Sequence, residues 1–278
     1  LYIHFSRFSE LLNIFGIEAP KPIQQTGNAL LLDIKALENG ITLNGFSSDK
    51  TGSLFSIFNR QIPTALGISN LISNRALMVT SFGISDGEAF NSDLKKFGST
   101  DPIRKAYADT LQKVSQSINF SIDTLYSNIE NEVAVCYFEK KEQEWQKVLV
   151  VEVSDSNTWL DLLNGASEKL STDTVFFERY STYEIRELPL SGFCDKLFYP
   201  IVSGFEQTYY TSIDNVILIS SNIEVLKRFL DDIDQEETWG RSVAQNRFLE
   251  TTLLESTISV YINTPRIWNS IIANLHPR

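Results

Sequence analysis

A strand that passes into an amphipathic helix through a short polar turn recurs along this chain, and it limits the fold more than any other feature. The five instances are "LYIHFSRFSELLNIF" at the N-terminus, "MVTSFGISDGEAF", "VLVVEVSDSNTWLDLL", "NVILISSNIEVLKRFL" and "ISVYINTPRIWNSII". A helix start leaves backbone N–H groups unpaired, and a short side-chain oxygen accepts from them. The small hydroxyl residues Ser6, Ser85, Ser154, Ser221 and Thr264 stand at these handovers. Ser221 and Glu224 fit a capping box, and Pro265 after Thr264 suits a first helical turn. Ile223, Leu226, Phe229 and Leu230, like Ile267, Ile271 and Ile272, take helical spacing, so each helix has a face to lay on a sheet. The first and fifth copies also match residue by residue: Tyr2-Ile3 with Tyr261-Ile262, Arg7 with Arg266, Phe8 with Ile267. That match reads as an internal repeat whose tail opens the chain and closes it.

Hairpins lie between these phrases. "ALLLDIKALENGITLNGF" has two arms around Asn39-Gly40, a strong turn signal. "NEVAVCYFEKKEQEWQKVLVVEV", "TVFFERYSTYEIRELPL" and "TYYTSIDNVILIS" read the same way. Hairpins imply antiparallel pairing, because parallel strands need long crossovers. The expected fold is therefore α+β: antiparallel sheet built from hairpins, with helices packed mainly on one face. A helix is expected over Asp101–Ile118, with Pro102 in its first turn and Leu111, Val114 and Ile118 as its apolar stripe. Glu18–Asn28, with two prolines, reads as a linker.

The chain carries 278 residues, enough to bury a core without staples. A net charge of −11 and a pI near 4.8 argue against nucleic acid and anionic membrane surfaces as partners. No apolar run reaches the ~20 residues of a membrane helix. Cys136 and Cys194 sit in apolar settings and read as buried thiols, with one disulfide as the alternative. The first residue is Leu1 within a strand-like run, so the chain reads as a fragment of a longer protein.

Gly83-Ile84-Ser85-Asp86-Gly87 fits the G-x-S-x-G elbow of a serine hydrolase, between a strand and a helix as that motif requires. An elbow serine needs a histidine and an acid. The two histidines, His4 and His276, lie in a strand and at the chain end. Ser85 is therefore expected to be a helix cap, in a turn made roomier by the two glycines. No zinc-type spacing of His and Cys is present. The acidic run Asp231 to Glu237 lacks the glycine and spacing of a calcium loop and reads as a solvated loop after a helix. Phosphate-binding glycine motifs are missing. Glu184 and Glu187, an odd number of positions apart in a strand, point to opposite faces. Phe176, Phe177, Tyr180, Tyr183, Phe205, Tyr209 and Tyr210 cluster in neighbouring hairpins; core packing explains most of them, and an exposed remainder would suit a partner. No catalytic, metal or cofactor residue is assigned.

Three stretches carry a family resemblance. "INFSIDTLYSNIENEVAVCYF", "YYTSIDNVILISSNIEVLKRFLDDI" and "SVAQNRFLETTLLESTISVYIN" follow one another in the order seen in an exported bacterial family, domain of unknown function 3352. Asn131 departs from that family, which often carries Gly there. The resemblance implies a larger multi-module parent in the periplasm or cell envelope, and supplies no catalytic residues. It divides the chain into residues 1–71, the end of a preceding module plus a hairpin, and residues 72–278, one α+β module. The expected function is a non-catalytic module for interaction or scaffolding, with a protein or envelope component as partner. A binding module for an apolar or peptide-like ligand and a serine hydrolase using Ser85 are the alternatives.

Overall fold

In the computed structural model, residues 1–5, 26–37, 40–50, 52–99, 101–141, 144–172 and 174–268 are described. The helix expected after the first strand, most of the Glu18–Asn28 linker, Asn39, Ile271, Ile272 and His276 lie outside them.

Two antiparallel sheets organise the chain. The smaller holds β1 (Tyr2–His4), β2 (Ala29–Leu37) and β3 (Gly40–Ser48), in that order. The larger has eight strands in the order β11-β4-β5-β6-β10-β9-β8-β7. Its members are β4 (Met78–Gly83), β5 (Ile129–Lys141), β6 (Glu144–Val153), β7 (Phe177–Tyr180), β8 (Tyr183–Glu187), β9 (Tyr209–Ile213), β10 (Val216–Ser220) and β11 (Ile258–Ile262). The expected hairpins are β2–β3, β5–β6, β7–β8 and β9–β10. The α+β, hairpin-built architecture read from the sequence is the one observed.

The middle strands are continuous apolar runs because both of their faces are buried. Val133, Val135, Leu149, Val151, Ile217 and Ile219 enter one core, while Ala134, Cys136, Val148, Val150, Val216 and Leu218 enter the other. The first core is covered by most of the helices: α1 (Gly87–Gly98), α2 (Pro102–Ile118), α3 (Ile122–Ser127), α4 (Ser156–Leu170) and α5 (Phe193–Phe198). Trp159, Tyr126, Phe90, Phe193 and Phe198 are their largest contributions to it. The opposite face carries a thinner layer, α6 (Ile223–Asp234), with 3-10 turns at Gly67–Asn70 and Trp239–Arg241. α6 lays Val225, Leu226, Phe229 and Leu230 on β6 and β10. Each such side chain contributes about 2 kcal/mol. α7 (Val243–Leu249) packs beside the last of these turns. Among the described residues no helix is long and apolar enough to cross a membrane.

The helix starts differ from the expectation in one systematic way. The caps are Asp86, Asp155 and Asn222, each one residue after the expected serine, and their side chains accept from the first-turn N–H groups. At the fifth handover the cap lies one residue earlier, because Asn263 Oδ1 accepts from Arg266 N at 3.3 Å. The serines instead tie the turn to a neighbouring segment. Ser85 Oγ accepts from Ile62 N at 2.9 Å, Ser154 Oγ accepts from Asn128 Nδ2 at 2.8 Å, and Ser221 Oγ donates to the Gln207 carbonyl at 3.2 Å. The Ser221–Glu224 capping box therefore does not form. α2 starts as expected at Pro102, capped by Asp101. Asn131 has a φ of 60°, in the left-handed region where Gly and Asn are at ease, beside a bulge in β5.

Candidate functional site

The Gly83–Gly87 turn follows β4 and opens α1, so its backbone setting matches an elbow. Its chemistry differs. Ser85 Oγ lies 3.3 Å from Gln61 Oε1 and 2.9 Å from Ile62 N, while His4 lies in β1 of the other sheet. Asp86 is spent on the Ala89 N–H at 2.8 Å. The glycines do not make a roomy turn, which corrects the sequence reading. A Cβ on Gly87 would collide with the Tyr126 carbonyl oxygen, and one on Gly83 would stand 2.6 Å from Thr64 Oγ1 and 2.9 Å from the Ser256 carbonyl. Close approach of neighbouring backbone requires both.

The acidic run is not a solvated loop: Asp231, Asp232 and Asp234 lie in the last turn of α6 and are occupied. Asp231 accepts from Tyr180 Oη at 2.8 Å, Asp234 accepts from Tyr183 Oη at 2.5 Å, and Glu236 pairs with Arg241 at 3.3 Å. Asp232 is buried, where Arg75 reaches it at 2.7 Å and the Ser73 hydroxyl donates to it. Burial and the Asp234 carboxylate push the Tyr183 phenol up to about 12. The run thus staples β7–β8 and the Ser73–Arg75 turn to α6. Among the described residues no group of three or more His, Cys, Asp or Glu is placed to hold a metal ion.

Glu184 pairs with Arg179 and Arg186 on the surface at 3.6 and 3.7 Å. Of the aromatic cluster, Phe205 and Tyr210 are fully buried, and Tyr180, Tyr183 and Tyr209 pack at the edge of the second core. Phe176 and Phe177 are exposed. Cys136 and Cys194 are free and buried in opposite cores, so no disulfide joins them. A shallow cleft of about 260 Å³ runs along Asn164, Glu184, Arg186 and Tyr210. It is small for an organic ligand and mixes charge with aromatic surface.

Glu132 was not singled out from the sequence. It shares a face of β5 with Ala134 and Cys136, so the alternation that buries those two buries it as well. It is 1% exposed. The Ser81 hydroxyl and the Gly67 amide, at 3.1 Å, donate to its carboxylate. Burial, with Glu152 nearby, raises its pKa to about 7. Glu152 is also raised by burial, and its Oε2 is buried without a protein partner among the described residues. The cluster can hold a proton near neutrality. It sits beneath the Gly67–Asn70 turn, which closes it from solvent.

The β2–β3 hairpin exposes a row of large apolar side chains that no core explains. Its ends are anchored, with Gly27 against the Phe55 ring and Gly40 against Phe248. Its middle is not. Tyr2, Leu31 and Phe46 form one cross-strand row, and Phe46 is 81% exposed. On the other face Ile34 opposes Leu43 and Ala36 opposes Ile41, again with the large side chains exposed. A hairpin is marginal in water unless one face is covered. Here large apolar side chains are exposed on both faces. Comparison with family models, with curated proteins and with solved structures found no match to this chain.

Proposed function

We propose that the chain is a non-catalytic interaction module whose β2–β3 hairpin meets a partner. The observation that carries this reading is the row Tyr2–Leu31–Phe46, contiguous, apolar and exposed in a chain of net charge −11. Monomeric proteins rarely expose such patches without a use. The acidic run supports the same reading, because Asp231, Asp232 and Asp234 are engaged in stapling elements together. The resemblance to domain of unknown function 3352 supports, as part of the proposal, a place in an exported multi-module protein of the periplasm or cell envelope. Fractionation of the producing cell tests that part, and recovery with cytosolic markers would overturn it.

The hairpin is tested by the double substitution Leu31→Ser and Phe46→Ser. Binding of an apolar fluorescent dye is expected to fall severalfold while the melting temperature moves by no more than about 2 °C, since neither side chain belongs to a core. Unchanged dye binding, or a large loss of stability, would sink the reading.

A further inference from the structure

The two ends of the chain match in sequence, and their described residues pass from strand to helix at the same offset. Tyr2-Ile3 lies in β1 and the chain turns helical at Phe5; Tyr261-Ile262 lies in β11 and the chain turns helical at Thr264. The offset is the same at both steps. The two strands nevertheless use opposite edges. In β1, the Leu1 carbonyl accepts from Leu32 N at 2.7 Å and Phe5 N donates to the Asn28 carbonyl at 3.0 Å, so Leu1 and Ile3 aim their backbone groups at β2. In β11, Gly83 N donates to the Thr257 carbonyl and Asn263 N to the Leu77 carbonyl, both at 2.8 Å. Tyr261 and Ser259 therefore bond to β4, and Ile258, Val260 and Ile262 aim their backbone groups away from it. Ile262, the equivalent of Ile3, presents outward the edge that Ile3 gives to β2.

Among the described residues that outer edge is undefended. Natural edge strands are blunted by charge, proline or bulges. β7, at the far end of the same sheet, is short and carries Glu178 and Arg179. β11 reads Ile-Ser-Val-Tyr-Ile, with Val260 57% and Ile262 53% exposed. Among the described residues only its start is met, where Ser256 bridges Thr64.

We propose that the outer edge of β11 is a strand-addition site for β2 of a second copy of this chain, taken in the register β1 uses. The proposal deepens the interaction reading above and rests on it. Carrying the β1 register across puts Ile262 opposite Leu30, Tyr261 opposite Leu31, Val260 opposite Leu32, Ser259 opposite Asp33 and Ile258 opposite Ile34. Apolar side chains meet apolar side chains on both faces, and the one polar rung meets a polar one. β1 holds β2 from Leu1 opposite Leu32 to Phe5 opposite Asn28, whereas β11 moves the pairing two residues along, to Ile34, which is 57% exposed. β11 of one molecule thus replaces β1 of the next with a ladder of the same length that also covers Ile34, and Leu31 and Phe46 extend the row of Tyr261 and Trp239. The contact is head-to-tail, so it propagates rather than closing as a symmetric dimer.

The test mixes full-length Ser259→Cys and Asp33→Cys proteins under mild oxidation. Ser259 and Asp33 would form a non-hydrogen-bonded pair, the kind with the closer side chains. A 1:1 disulfide adduct is expected at about tenfold the yield given by Ser259→Cys with Lys35→Cys, which is one rung pair out of register. Adding Ile262→Pro to the Ser259→Cys protein should abolish the adduct without lowering its melting temperature, because that N–H faces away from β4. Equal yield from the Lys35 control, preferential Ser259–Ser259 adducts, or an adduct indifferent to Ile262→Pro would each overturn the register. If the dye result holds and the adduct fails, the interaction surface stands and only its occupant is wrong.

Discussion

Asn222 shows how a helix start is decided at the scale of one residue. Its Oδ1 accepts from Glu224 N at 2.9 Å, while the adjacent Ser221 turns to the Gln207 carbonyl. An Asx side chain at the cap holds its oxygen over the exposed amides, and the preceding serine is left for tertiary contacts. Asn222→Ala is therefore expected to cost about 1 kcal/mol in chemical denaturation, and Ser221→Ala less than about 0.5 kcal/mol. The reverse order would restore the capping box. The sequence placed the four described handovers within one residue; which of two adjacent polar residues caps depended on what stood beside the turn.

At the scale of elements, α6 shows the same division. Its apolar stripe was legible from Ile223, Leu226, Phe229 and Leu230. The use of its acidic end was not, because Tyr180, Tyr183, Ser73 and Arg75 arrive from distant strands and turns. With those carboxylates engaged internally, millimolar calcium is expected to shift the melting temperature by less than about 1 °C. A rise of several degrees in calcium but not magnesium would show that the run opens to form a site. β11 is legible in a different sense: its bare apolar alternation marks a strand, and only the sheet order shows that it lies at an edge.

At the scale of the whole molecule, Glu132 links pH to global stability. Its folded pKa, about 7, lies above the ordinary 4.5, so the folded state binds the proton more tightly. The stability this contributes is complete below the ordinary value and is lost as pH rises to about 7. The change amounts to about 3 kcal/mol at most. Glu152, raised in the same direction, adds to it. Asp93 and Asp123 are held low, the first by Arg60 and Lys96 against a large burial cost and the second mainly by Lys95, so they act only at lower pH. Glu132→Gln keeps an acceptor for Gly67 N and gains a donor for Ser81. Its melting temperature is expected to exceed that of the parent by about 5 °C at pH 8 and to match it near pH 5. A pH-independent difference between the two proteins would count against this account.

Local periodicity and turn chemistry in the sequence alone determined the strands, the hairpins, the helix faces and the α+β class. These depend on residues a few positions apart, whose spacing must match the geometry of a strand or helix. Tertiary structure alone decided the strand order, the burial of Glu132, the tight packing of Gly83 and Gly87, the partners of the acidic run and the open edge of β11. Each of those depends on which distant segments meet, and burial and pairing set both the energy of a charge and the fate of a strand edge.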